Sequence, residues 1–239
     1  MKPRRLFSLL VIFAPLLLAS CTGATDPVRT SGIRTNTTAQ PSEIKEKNAR
    51  SDDSIAIASR QSGVSTKLAA TLYYAAREQD YDTGNPVPFR DVNGETLHMG
   101  SAAFKKAASI EGTAIFTDGT VLNYHKRIGG EVRWIRIRSK LGLDARGCPL
   151  VPFRSAAVDP SVIKLGSRLE ISETVGMRLP DGGRHDGVWY AADTGDGIDG
   201  HRIDLFTGLG ADSMKAVERH GIGHLQKLTV TTFPHPARC

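Results

Sequence analysis

The sequence predicts a mainly β fold with a short helix or two, held in roughly the last 170 of its 239 residues, a length that supports one domain with a real core. Three observations predict it. Residues 112–116 (GTAIF) and 121–124 (VLNY) flank Asp118-Gly119, a hairpin signature. Residues 151–159 and 162–171 are strand-length runs of small and apolar residues, interrupted by Asp159-Pro160 and by Gly166. Residues 226–233 alternate Leu228, Val230 and Thr232, as a closing strand would.

At the N-terminus, Lys2, Arg4 and Arg5 precede an apolar run over residues 6–18 that ends in Leu18-Ala19-Ser20-Cys21. The run is too short to span a bilayer and reads as a signal-peptide core, giving a signal peptide at 1–20. Small residues just ahead of the cysteine resemble a bacterial lipobox, which implies cleavage and lipidation at Cys21. Thr22, which is not Asp, then implies sorting to the periplasmic face of an outer membrane. Residues 21–66 are polar, carry Pro27 and Pro41 and lack periodicity, so they are expected to be a tether, with at most a marginal helix over 51–62. Export leaves Cys148 and Cys239 as the two spare thiols and suggests one disulfide between them.

The catalytic-sized domain is expected over 67–239, with 77–150 as a hairpin-rich insertion. Its opening strand reads as residues 71–76 (TLYYAA). Turn signals at 82–86 and Asn93-Gly94 lead to a short helix over 101–110 with Phe104, Ala107 and Ala108 on one side. Residues 133–140 (RWIRIRSK) alternate basic and apolar side chains, either a solvated strand face or the wall of a groove for an acidic glycan. Ala211, Met214 and Val217 repeat at helical spacing as a core stripe, with Gly221 as the C-cap. The net charge of +6 would suit nucleic acid, but export favours an anionic cell-wall polymer or membrane surface instead.

Chemistry concentrates at residues 189–206 (WYAADTGDGIDGHRIDLF). Four carboxylates, Asp193, Asp196, Asp199 and Asp204, lie within a dozen residues, between an apolar run and the alternation Ile203, Asp204, Leu205. The pattern reads as strand, glycine-rich loop, strand, aiming two carboxylates from adjacent strand ends into one pocket. A solvated acidic turn is the plainest alternative. A calcium loop framed by Asp193 and Asp204 fails, because Gly195 and Gly197 stand at ligand positions and Ile198 stands where the sharp turn needs glycine. An aspartic-protease site is the third alternative, since Asp-Thr-Gly at 193–195 is that chemistry's signature. His185, His201, His220, His224 and His235 show no tight ligand spacing, so no metal or other cofactor is expected.

The set 157–160 (AVDP) with Ile163 and Leu165-Gly166, then 192–195 (ADTG), then 203–206 (IDLF), resembles the three-aspartate, or 3D, domain. That domain is shared by membrane-bound lytic transglycosylase A and small stationary-phase-survival muralytic proteins. The resemblance implies a six-stranded double-psi β-barrel that cleaves peptidoglycan glycan strands with formation of 1,6-anhydro ends. It places Asp204 as catalytic acid/base, with Asp193 and Asp159 as its carboxylate neighbours, and Asp193 is expected to raise the pKa of Asp204 by repulsion. Tyr73, Trp134, Thr194, Gly195 and Arg202 are candidate substrate contacts. Asp196 and Asp199 make the loop more acidic than is common in the family, and 77–150 is short for a large substrate-clamping domain. A monomer anchored by lipid and bound to glycan is expected, with no nucleic acid. The rival is a non-catalytic wall-binding lipoprotein gripping glycan through Tyr73, Tyr74, Trp134, Trp189 and the basic strand.

Overall fold

A computed structural model describes residues 63–234 and 239. The signal peptide, Cys21, the possible helix over 51–62 and most of the tether lie outside the described residues. Strand β1 spans Val64–Arg77, so it starts ahead of the expected strand start at Thr71. The early part was inconspicuous because Ser65, Thr66 and Lys67 are polar. They nevertheless pair antiparallel with Thr231, Val230 and Thr229.

Six strands close into a ring. Besides β1 these are β7 (Ser155–Val158), β8 (Arg168–Ile171), β9 (Val188–Asp193), β10 (Arg202–Leu209) and β11 (Lys227–Phe233). The order β10-β7-β9-β8-β11-β1 is closed by a β1–β10 pairing. Pairs β1–β10 and β7–β9 are parallel; the other four are antiparallel. This is the six-stranded barrel expected. Closure satisfies every edge, so the ring needs no partner to complete its ladders.

Period-two alternation decides what fills the ring. Leu68, Ala70, Ala156, Val158, Leu169, Ile171, Trp189, Ala191, Ile203, Leu205, Leu228 and Val230 form the interior, all essentially without exposure. Phe153, Ile163, Met177, Val217 and Ile222 extend the same core beyond the ring. With Ile203 and Leu205 inward, Arg202 and Asp204 must lie on the outer wall.

The insertion carries a second core. It contains β2 (Pro86–Arg90), β3 (Thr96–Ser101), α1 (Ala102–Glu111), β4 (Thr113–Ile115), β5 (Val121–Ile128) and β6 (Glu131–Ile137). Ser101 caps α1 by accepting the Phe104 N–H at 3.0 Å, and Gly112 ends it in the left-handed region at φ 82°. The Asp118-Gly119 turn forms as expected between β4 and β5. Strand β4 adds to β1 at Ala76 and Arg77, which carries β5 and β6 out from the barrel. Phe89, Phe104, Phe116 and Trp134 pack between α1 and this sheet. The aromatic core explains why a short insertion keeps its own structure.

The expected helix over 211–220 is shorter than its periodicity suggests. Residues Ala211–Met214 form a 3₁₀ turn and only Lys215–Arg219, labelled α2, is α-helical. Gly210, at φ 69°, sets the turn, and only Ala216 and Val217 are buried. Cys148 and Cys239 are joined by a disulfide, with Cα atoms 5.2 Å apart.

Candidate active site

Asp193 ends β9 and Asp204 is the third residue of β10. They are not on adjacent strands, as the loop pattern suggested. Strand β7 runs between them, and Ala157 is the register partner of both. Two interstrand spacings put their Cα atoms roughly 10 Å apart. The small Ala157 side chain, itself buried, leaves the wall low between them.

The two carboxylates have different surroundings. Asp193 is well supplied with donors: Thr194 N–H donates to Oδ1 at 2.8 Å and the Tyr73 hydroxyl to Oδ2 at 3.2 Å. Burial pushes its pKa up to about 6, aided by the Asp144 charge and opposed by these donors. Asp204 is also raised to about 6 by burial, while Thr71, Arg202 and His224 act the other way. Thr71 is its register partner across the β1–β10 pair. The hydroxyl faces the carboxylate closely enough to favour its charge, yet Thr71 Oγ1 and Asp204 Oδ1 are both buried without a hydrogen-bond partner in bonding geometry. A buried oxygen with no donor costs stability and marks a group kept free for something else.

The expected repulsion between Asp193 and Asp204 is therefore not what raises Asp204; burial is. With a strand between them, Asp193 is not among the charges that dominate at Asp204. Tyr73 faces both, and burial together with the charges of Asp193 and Asp204 raises its pKa, so the phenol keeps its proton and acts as a donor.

Asp159 takes a positioning place. Its Oδ2 accepts the Gly200 N–H at 2.7 Å and its Oδ1 the Ser161 N–H at 2.8 Å. These donors hold its pKa below the usual carboxylate range, so it stays ionised and cannot act as a proton donor. It clamps the β9–β10 loop by the backbone of Gly200, which stands at φ 60°. Farther along the same loop, Asp196 receives Arg127 Nε from the β5–β6 hairpin at 3.0 Å, which gives the extra acidity a partner.

Thr194 and Gly195 lie exposed beside Asp193, and Arg202 is half-buried beside Asp204 with its Nε unpartnered. Trp134 is not a surface contact: it is fully buried against Phe89 in the insertion core. Val132 and Trp134 share the face of β6 that turns into this core, while Ile135 on the other face is exposed. The basic face is not an open groove wall either, since Arg136 donates to Thr120 Oγ1 and Leu97 O, both at 2.9 Å. Trp189 fills the barrel, donating to Thr174 at 3.0 Å. Sequence reasoning missed Glu111 at the end of α1. Its Oε2 accepts the Tyr74 N–H at 3.0 Å, and burial with the Asp204 charge raises its pKa to about 7. An acid in the last turn of a helix with no basic residue to balance the C-terminal dipole is the signal that could have found it.

Among the described residues no group of three or more His, Cys, Asp or Glu is arranged to hold a metal. A groove of about 970 Å³ lies elsewhere, lined by Val151, Pro152, Leu179, Leu209 and Arg219 among others, and it includes none of the three aspartates.

Residues 154–226 match the family model of the 3D domain. The fold is that of the membrane-bound lytic murein transglycosylase from Agrobacterium tumefaciens, at 15% identity and a TM-score of 0.51 over 72% of this chain and 77% of that one. Escherichia coli MltA with bound chitohexaose aligns at 15% identity and a TM-score of 0.48, covering 71% of this chain and 72% of that one. LtgG of Burkholderia pseudomallei aligns at 20% identity and a TM-score of 0.33, covering 72% of each chain. No curated protein matches the sequence.

Proposed function

We propose that this protein is a peptidoglycan lytic transglycosylase that cleaves the MurNAc-GlcNAc β-1,4 bond with Asp204 as the single acid/base. One observation carries the reading. On the outer wall of a 3D domain, Asp204 presents a buried oxygen that no protein donor occupies, with a pKa raised to about 6. A carboxyl group poised there can hold a proton near neutrality and release it to a leaving oxygen. The same fold in a lytic murein transglycosylase of Agrobacterium tumefaciens supports the reaction class.

The steps balance without water. Asp204 protonates the bridging oxygen, the C1–O bond breaks, and the GlcNAc 4-hydroxyl leaves as positive charge develops at C1 of the MurNAc ring. Asp204, now ionised, takes the proton of the C6 hydroxyl as O6 bonds to C1, closing a 1,6-anhydro ring and restoring the acid. Asp193 remains tied to Tyr73 and Thr194 and stabilises the developing charge from across β7. Asp159 keeps the loop between them in place.

Burial of Trp134, Trp189 and Tyr74 removes most of the aromatic grip that a non-catalytic wall-binding role would use. We place the enzyme as a monomer on the periplasmic face of an outer membrane, tethered through lipidated Cys21, on the strength of the lipobox pattern. Purified sacculi exposed to the protein should release muropeptides with 1,6-anhydro ends by mass spectrometry. Products carrying only reducing ends would make it a hydrolase, and no release would remove the enzymatic reading.

A further inference from the structure

We propose that Arg127, on the β5–β6 hairpin of the insertion, is a positioning residue that fixes the Asp193 end of the β9–β10 loop by gripping Asp196. It lies outside the three aspartates of the motif. Its effect on lysis rests on the reading of Asp193 and Asp204 as the carboxylates of the reaction.

The loop that joins the two carboxylates is held unevenly. Its second half is anchored: Ile198 is buried, and Asp159 Oδ2 accepts the Gly200 N–H at 2.7 Å. Its first half stands clear of the barrel. Thr194, Gly195, Asp196 and Gly197 are all exposed, and a Cβ added at Gly197 would meet nothing within 4 Å. Exposed backbone with little packing against it opens at low cost. Yet the Thr194 N–H of this half donates to Asp193 Oδ1 at 2.8 Å, so any displacement here reaches the site directly. From outside the loop, Arg127 grips this half, its Nε donating to Asp196 Oδ2 at 3.0 Å.

The hairpin aims that guanidinium by its register. Pairing of β5 with β6 shifts between Tyr124 and Lys126, leaving His125 as an extra residue. A bulge re-aims the side chains that follow it. Here it sets Arg127 opposite Val132, on the hairpin face that carries Trp134 and packs toward α1. Uninterrupted alternation from Tyr124 would have put Arg127 on the other face. The guanidinium also meets fixed carbonyls, with Nη1 3.4 Å from Gly130 O in the hairpin turn and Nη2 3.5 Å from Ser109 O on α1. This platform is itself fastened at both ends. Lys105 of α1 donates to Glu131 Oε1 at 2.7 Å and secures the hairpin tip, while Glu111 Oε2 accepts the Tyr74 N–H at 3.0 Å and secures the end of α1 to β1. Arg127 therefore links the weakly held half of the loop to a body attached to the barrel wall. Both members of the pair are exposed, so it adds little to global stability. Its removal should move the loop and the rate, and leave unfolding where it was.

The test compares Arg127→Ala, Asp196→Asn, the two combined, and the exchanged pair Arg127→Asp with Asp196→Arg. By NMR, hydrogen exchange of the Thr194 amide should quicken about three-fold or more in both single variants, while the Gly200 amide keeps its wild-type rate. On sacculi, kcat should fall about three- to ten-fold with KM and the urea midpoint unchanged. The combined variant should be no worse than either single one, since members of one interaction are not additive. The exchanged pair should recover part of both the exchange rate and kcat. Wild-type exchange at Thr194 in the single variants overturns the proposal and leaves an idle surface pair. Additive losses in the combined variant overturn it as well. So does a raised KM at constant kcat, because Arg127 would then be touching the glycan itself. Faster Thr194 exchange in a protein that releases no muropeptides supports the Arg127–Asp196 grip while sinking the transglycosylase reading.

Discussion

Asp193 and Asp204 share one register partner, Ala157, each from its own side of β7. The separation gives the carboxylates independent duties: one bound by two donors and one left open.

The open one carries the first prediction. Asp204→Asn should lower the rate of anhydro-muropeptide release by on the order of a hundred- to ten-thousand-fold, the usual weight of a general acid/base. Asn keeps the shape but neither gives nor takes the proton. Circular dichroism should show an unchanged fold. A folded variant that lyses sacculi at a near wild-type rate would sink the assignment.

Asp193→Asn should act through geometry. An amide keeps one acceptor oxygen where the carboxylate had two, so either the Thr194 N–H or the Tyr73 hydroxyl loses its acceptor. Activity should fall about ten- to a hundred-fold, in kcat. The pH at which activity is lost on the alkaline side should stay within a few tenths of a unit, because a strand separates this charge from Asp204. A displacement of a full unit would restore the repulsion model.

What the sequence showed and hid follows from what is local. The Asp193 to Asp204 loop, its glycines and the strands beside it were legible because alternation and turn chemistry are written in neighbouring residues. Strand order is not. Nothing in residues 151–206 says that β7 enters between β9 and β10, so the carboxylates looked adjacent. Trp134 is misread because Arg136 and Arg138 share its strand face, so alternation points that face outward; only the packing of Phe89 from β2 shows that it is covered. Glu111 was invisible for another reason: it belongs to no motif, and only the packing of α1 on β1 brings it to Tyr74.

Stability should depend on pH in the direction set by buried acids. Asp193 and Asp204 are raised from near 3.8 to about 6, and Glu111 from 4.5 to about 7. The folded state therefore binds more protons than the unfolded chain between about pH 4 and 7, so the stability these groups contribute is full below pH 4 and is lost as pH rises toward 7. Asp204→Asn should accordingly stabilise the domain at pH 7, by on the order of 1–2 kcal/mol, and lose that advantage at pH 4. Urea denaturation of both proteins at the two pH values measures it. A variant less stable than wild type at pH 7 would mean that the carboxylate is held by interactions outweighing its burial.

The disulfide supplies the last prediction, because it ties the end of the chain to the loop that backs Asp193. Cys148 and Cys239 are 91 residues apart in sequence. Closing a loop of that length contributes about 4–5 kcal/mol on the chain-entropy model, an upper figure since native strain subtracts from it. Local consequences add to the global one. The Cys148 N–H donates to Asp144 Oδ1 at 2.8 Å, and Asp144 Oδ1 also takes the Arg146 N–H at 2.9 Å, so the loop whose Asp144 charge acts on Asp193 is wound around a buried carboxylate beside the bridge. Cys148→Ser with Cys239→Ser should lower the urea midpoint substantially. It should also reduce lysis several-fold at temperatures where the variant is still folded, because the Asp193 donors loosen before the barrel does. Alkylation without reductant should label neither cysteine in the folded wild type. Labelling of both, or a double variant with unchanged midpoint and activity, would show that the bridge neither forms in solution nor supports the site.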